Sequence, residues 1–308
     1  MNKDTIYFKQ VQLLVRVLPL IATEKCFALK GGTAINLFVR DLPRLSVDID
    51  LVYLPLHDRE EALKNIREAL SRISSLISKT FPNIKVQDAH EQSHTLRLMV
   101  VQGDARIKIE LSPVIRGSVF PEVNMSVVKS VEDNFGYAEI SVVSLPDLYA
   151  GKICAALDRQ HPRDLFDVKY LLENEGFTEN FRKTFLVYLI SHQRPMSELL
   201  QPNRKDIRSV YENEFARMSQ VEVTLVELEQ VRETLIGLTL NTLTEDERKF
   251  LLTFKSRSPN WTLLGLGEIM SISDLPSVRW KLQNLSQMPL DKHSVAYRKL
   301  EDILQMKL

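Results

Sequence analysis

Four sets of residues in this chain have the types and spacing to do chemistry. The first is Gly31-Gly32, in the stretch LKGGTAINLF. Glycine lets an anion approach backbone N–H groups, and the start of a following helix favours negative charge. Such a pair is either a phosphate cradle or an ordinary turn. The second is Asp48-Ile49-Asp50. Side chains two apart on a strand leave the same face, with Cα atoms about 7 Å apart. Two carboxylates that close repel each other, and a divalent cation relieves the repulsion. The plainer reading is two solvated acids on an exposed face. The third is Glu110, which alternates with Lys108 in ARIKIELSP. A lone strand glutamate is usually solvated. Beside Asp48 and Asp50 in one sheet, it would complete a three-carboxylate site able to hold two metal ions.

A fourth set is more mixed: Lys152, Asp158, Arg159, Arg163, Asp164 and Asp167. Lys152 lies among Tyr149, Ala150, Ile153, Ala155 and Ala156, so it either snorkels or faces a ligand. Asp164 and Asp167 are three apart and share one helix face. Arg163 stands at a helix start, where the dipole does not favour a cation. An internal salt bridge from Arg159 or Arg163 to Asp167 is the competing structural reading. Arg40 and Arg44 flank the loop before the Asp-x-Asp strand and are either phosphate ligands or surface charges.

These residues need elements to position them. Apolar spacing over residues 5–24 predicts an opening helix. CFAL predicts a short buried strand leading into the Gly-Gly turn, and Thr33 is placed to cap the helix AINLFVR. SVDIDLVYL alternates and predicts a half-buried strand. A helix is expected over 58–79, then strands at 84–88, 94–101 and 105–112. Residues 113–137 predict a loop, and AEISVVS a short strand. SLPDLYAGKICAALDR predicts a helix with Ser144 as cap, and RDLFDVKYLLEN a second one after Pro162. Beyond about 176 charged amphipathic segments dominate, at 178–192, 204–219, 221–237 and 244–255. The expected division is 1–176 and 177–308.

Composition bounds the rest. The chain has 308 residues, 40 basic and 40 acidic, with 44% hydrophobic content. These values exclude disordered and low-complexity classes. Net charge is zero, and a cut at 140 leaves 18 basic and 17 acidic residues before it. Any anion site is therefore local. Only ten glycines are present, and two of them are adjacent. Cys26 and Cys154 are the two cysteines and predict free thiols in apolar surroundings. No apolar run reaches the ~20 residues that span a bilayer. A cytoplasmic protein with no membrane partner is expected. Trp261 and Trp280 are expected in the core rather than as base-stacking platforms.

The order of the motifs is more telling than any one of them. LKGGTAINLF, then RLSVDIDLVY, then IKIEL resembles the signature of the DNA polymerase beta-like nucleotidyltransferase superfamily. With GKICAALDR and PRDLFDVKYLL added, it closely resembles the AbiEii/AbiGii toxins of type IV, abortive-infection toxin–antitoxin systems, over residues 25–175. The resemblance implies an α+β fold, a polymerase-beta-like domain with a mixed sheet flanked by helices; the amphipathic segments beyond 176 add an all-helical C-terminal domain. It implies that Gly31, Gly32 and Thr33 hold nucleotide phosphates, with Arg40 and Arg44 in reach. Many superfamily members have Gly-Ser where this chain has Gly-Gly-Thr. Asp48, Asp50 and Glu110 would bind Mg²⁺, in a two-ion site, and Glu110 would orient or deprotonate the attacking hydroxyl. Lys152 would contact the triphosphate. Asp164 and Asp167 would position the nucleotide or support the site, and Asp158 and Arg163 match the same block.

The activity implied is transfer of a nucleoside monophosphate from an NTP to an RNA hydroxyl, the tRNA acceptor end, blocking translation and serving phage defence. The partner implied is an antitoxin, a DNA-binding repressor that need not touch the toxin. The alternatives are a nucleotidyltransferase acting on a small molecule or protein, and a non-catalytic interaction protein. The last would predict an incomplete set of acids, and all three are present.

Overall fold

The computed structural model describes residues 5–88, 96–267 and 272–306. The chain forms two compact units, Met1–Ser144 with Met218–Glu222, and Leu145–Arg217 with Val223–Leu308.

The first unit begins with helix α1 (Ile6–Ile21), capped by the Thr5 hydroxyl, which accepts from the Phe8 N–H. Its Val11, Leu14, Leu18 and Ile21 are fully buried. Strand β1 (Phe27–Lys30) leads directly into α2 (Gly31–Ala34), which widens into a π-turn at Ile35–Val39. Then come β2 (Asp48–Tyr53), α3 (Arg59–Thr80), β3 (Lys85–Asp88), β4 (Leu96–Gln102), β5 (Ala105–Leu111), β6 (Val123–Ser126), α4 (Lys129–Phe135) and β7 (Glu139–Val142). The seven strands make one mixed sheet in the order β3-β4-β5-β2-β1-β7-β6. β2 runs parallel to β5 and antiparallel to β1. Alternation decides what each face does. Ile49, Leu51, Leu98 and Ile109 are buried completely, while Asp50, Arg97, Met99, Lys108 and Glu110 beside them are half-exposed; β1 is buried from Phe27 to Leu29. Helices α1 and α3 pack on the sheet. Each large apolar side chain buried this way contributes about 1.5–3 kcal/mol.

The second unit's regular elements, among the described residues, are all helical. They are α5 (Leu145–Asp158), α6 (Pro162–Asn174), α7 (Glu179–Ser191), α8 (Met196–Leu200) and α9 (Arg208–Val210), which runs into a π-turn at Tyr211–Phe215. Four further α-helices follow: α10 (Leu225–Asn241), α11 (Glu245–Lys255), α12 (Pro276–Ser286) and α13 (Leu290–Leu304). Reciprocal capping boxes, Thr224 with Glu227 and Thr244 with Glu247, start α10 and α11.

Several expectations change. The expected loop at 113–137 contains β6 and α4. β6 is an exposed edge strand with no buried face to create alternation, and α4 buries only Val131 and Phe135. The compact units divide at Ser144, ahead of α5. Helices α5 and α6 pack against α7 and α10, which gathers them with the later helices. Trp261 packs against Phe250 and Phe254 as expected of a core residue, but Trp280 is 38% exposed. Cys154 is buried and Cys26 half-buried, both free. No helix among the described residues is long and apolar enough to cross a membrane.

Candidate active site

The two aspartates and the glutamate come together through strand pairing. β2 and β5 align Asp48 with Lys108, and Asp50 with Glu110. Paired residues share a face, so three carboxylates and one ammonium occupy a small patch of the half-exposed side of the sheet. Strands are about 4.8 Å apart, so neither the carboxylates nor the lysine is far from its counterpart. Lys108 Nζ pairs with Glu110 Oε2 at 2.7 Å, and both side chains are about a third exposed (29% and 32%). Burial opposes the Lys108 charge. The hydrogen bond to Glu110 and the fields of Asp48, Glu110 and Asp50 override it and raise its pKa. The patch therefore gathers three carboxylates, with the Lys108 ammonium held against Glu110.

The glycine turn is built against the same acids. Gly31 has φ +76°, a left-handed conformation that glycine adopts without strain. A Cβ at Gly31 would lie 2.5 Å from Asp50 Oδ2, so the carboxylate occupies the space that a side chain would take. A Cβ at Gly32 would meet Arg44 Nη2 at 2.6 Å and Ser46 Oγ at 3.0 Å. Arg44 is thus laid against the turn, only 2% exposed, with Nη1 donating to the Leu45 carbonyl at 3.0 Å. Thr33 does not act as the helix cap, because the helix already begins at Gly31 with Lys30 in the capping position. Its buried hydroxyl instead donates to the Asp48 carbonyl and is hydrogen-bonded to Ser46 Oγ at 3.0 Å. This bond ties the turn to the start of β2, a positioning part rather than an open phosphate contact. Asn36 Nδ2 donates to the Gly32 carbonyl at 2.8 Å and braces the turn from the other side. Arg40 lies just past the π-turn, half-buried, its N–H bonded to the Ile35 carbonyl.

The second set of residues forms its own cluster in the helical unit. Lys152 Nζ pairs with Asp164 Oδ1 at 2.8 Å and Asp167 Oδ2 at 3.0 Å. Asp164 also accepts from Arg159 Nε at 2.5 Å and Nη2 at 2.9 Å. Lys152 is 8% exposed, Asp164 0% and Asp167 1%. Burial pushes the Asp164 pKa up, but the Lys152 ammonium and Arg159 guanidinium outweigh it and hold the carboxyl well below the usual range. The three-residue spacing of the two aspartates does put them on one face, as read from the sequence. Arg159 pairs with Asp164, where the sequence reading offered Asp167. Asp158 pairs with Arg194. Arg163 lies in the first turn of α6, its N–H donating to His161 Nδ1 at 3.1 Å. Asp147 is buried and accepts from the Tyr188 hydroxyl at 3.1 Å.

Divalent cations such as Mg²⁺ take hard oxygen donors. The β2–β5 patch offers carboxylates alone, from Asp48, Asp50 and Glu110, around a cation-stabilising field. The donor chemistry fits such an ion. Among the described residues no three acidic, histidine or cysteine side chains are already drawn together as a cage, and Glu110 is turned to Lys108. Sequence reading missed Ser46, which only the folded turn brings to Thr33, and the part played by Lys108.

The fold is similar to that of MenT4, a nucleotidyltransferase toxin from Mycobacterium tuberculosis H37Rv, with a TM-score of 0.62 at 14% identity over 92% of this chain and 95% of that one. No curated protein matches the sequence. The family model described as "Nucleotidyl transferase AbiEii toxin, Type IV TA system" matches residues 12–284, which include both the sheet and the helical cluster. On that match the chain belongs to the AbiEii nucleotidyl transferase toxin family of type IV toxin–antitoxin systems.

Proposed function

We propose that this toxin is a magnesium-dependent nucleotidyltransferase that moves a nucleoside monophosphate from an NTP to an RNA hydroxyl, the tRNA acceptor end, and so blocks translation. The observation that carries this reading is the β2–β5 register, which sets Asp48 and Asp50 beside Glu110, with the Asp50 carboxylate against the Gly31 turn.

In the reaction, the acceptor oxygen bonds to the α-phosphorus and the bond from that phosphorus to the bridging oxygen breaks, releasing pyrophosphate. The Gly31–Gly32 turn presents backbone N–H groups to the triphosphate, and Arg44, lying over Gly32, adds fixed positive charge. Glu110 accepts a hydrogen bond from the attacking hydroxyl and takes its proton. Asp48, Asp50 and Glu110 would hold two Mg²⁺ ions, which when bound stabilise charge on the attacking and leaving oxygens. Most of the catalysis is positioning and electrostatic stabilisation. Lys152, Asp164 and Asp167 brace α5 against α6, and this support is their first duty.

Membership of a toxin–antitoxin family implies an antitoxin. A DNA-binding repressor, acting without direct contact, is the form we expect. The balanced charge of the chain favours a second reading, a small-molecule or protein acceptor, because an RNA partner needs a local basic surface. Incubation with total cellular RNA and each α-labelled NTP tests both. A labelled band at tRNA size supports the first reading, and label confined to protein or small molecules replaces it with the second.

A further inference from the structure

The charged face of the sheet extends one strand past the carboxylates. β4 runs antiparallel to β5, pairing Arg97 with Glu110 and Met99 with Lys108. β1 pairs Lys30 with Asp50. One row therefore crosses four strands as Arg97, Glu110, Asp50 and Lys30, with cations at its two ends and acids between them.

The two ends of this row differ. At the β1 end the chain runs straight into the Gly31–Gly32 turn, which presses on Asp50. That end belongs to the nucleotide phosphates. Arg97 stands at the opposite end, beyond Glu110, with the carboxylates between it and the cradle. Arg97 is half-buried, fixed by Leu96 and Leu98, which point into the core. Its paired neighbour Glu110 is engaged by Lys108 instead. Arg97 Nε is buried and makes no hydrogen bond. A buried donor without an acceptor is costly, and native structures rarely leave one so without a reason.

Resting on the nucleotidyl-transfer reading above, we propose that Arg97 is an acceptor subsite that takes the phosphate nearest the attacking hydroxyl of a polynucleotide end. A guanidinium matches the paired oxygens of a phosphodiester. In a polynucleotide, the terminal hydroxyl and the nearest phosphate are one sugar apart, a span comparable with the step from Glu110 to the next strand. A small acceptor without that phosphate gains nothing from Arg97. The residue thus favours RNA over a compact hydroxyl compound, and it is a binding residue rather than a catalytic one.

The test uses the full chain and deacylated total tRNA. Arg97→Gln is expected to raise KM for tRNA about tenfold, the scale of one charge-assisted contact, with kcat and NTP affinity within about twofold. The plot of log affinity against log salt should become shallower by about 0.7, the share of one phosphate on a single strand. A purely structural role would not move that slope. If Arg97→Gln fails to fold by circular dichroism, Arg97→Lys serves: it keeps the charge but loses the paired donors, so KM rises several-fold at an unchanged slope. An unchanged KM for tRNA in the folded variant, or NTP binding weakened as much as tRNA binding, overturns the proposal while leaving the transfer reading intact. A wild-type protein that labels no tRNA overturns both.

Discussion

Replacing Lys152 with methionine removes one charge from the most buried ionic cluster described in the helical unit while keeping a similar volume. The ammonium is 2.8 Å from Asp164 and 3.0 Å from Asp167, which are 0% and 1% exposed. Breaking a buried pair by deleting one partner costs about 3–5 kcal/mol, because the surviving charge is desolvated. Arg159 still donates twice to Asp164, so the lower end, about 3 kcal/mol, is expected. At about 2–4 °C per kcal/mol for units of this size, the Tm should fall by about 6–12 °C. Thermal denaturation of the full chain at pH 7, followed by circular dichroism, measures this. There is also a pH signature. The folded Asp164 carboxyl is held low, so its stabilisation is present above the ordinary carboxylate pKa near 4 and lost as pH falls below it. The Lys152→Met variant should lose less stability over that acid range than the wild type. A Tm within about 2 °C of wild type, together with lost NTP affinity, would refute the bracing role and make Lys152 a triphosphate ligand first.

Two other predictions concern the sheet face. Gly31→Ala places a Cβ 2.5 Å from Asp50 Oδ2 at φ +76°, so the acid or the turn must shift by an appreciable fraction of an ångström. Rate should fall by up to about 100-fold, since misplacing a group by about 1 Å costs that much. Gly32→Ala places a Cβ 2.6 Å from the buried Arg44 Nη2, displaces that guanidinium and should act mainly on KM for the NTP; a full-rate Gly31→Ala enzyme would contradict the geometry. Lys108→Met removes the ammonium bonded to Glu110, and isothermal titration should find tighter Mn²⁺ binding and a larger Tm gain on adding Mn²⁺. Unchanged affinity would mean that Lys108 is not the local counter-charge.

Alternation made β2 and β5 legible from the sequence, because Ile49, Leu51, Ile107 and Ile109 bury one face and the acids mark the other. Their parallel pairing was not legible in that alternation, since it joins residues sixty apart in sequence; the order of motifs implied only that Glu110 joins the two aspartates. Thr33 reads as a cap from its side-chain chemistry, but the helix starts at Gly31, three residues before the Ala34 start such a cap implies. The sequence reading named no element over the last two helices, although α13 buries Leu300 and Leu304 and exposes Leu290 and Val295. Lys152 illustrates the limit of local reading. An apolar surround showed that the ammonium needed a partner, and only the fold shows Asp164 and Asp167 in that place. Arg97 drew no attention for the same reason, as its position beside Glu110 exists only through strand pairing.

The central claim is that Asp48 and Asp50, set beside Glu110, carry nucleotide transfer to RNA. The most direct test is Asp48→Asn, assayed with total RNA and α-labelled NTPs beside the wild type. The exchange is nearly isosteric at a half-exposed position, so Tm should stay close to wild type while label transfer to tRNA disappears. Full labelling by a folded Asp48→Asn protein would contradict the account.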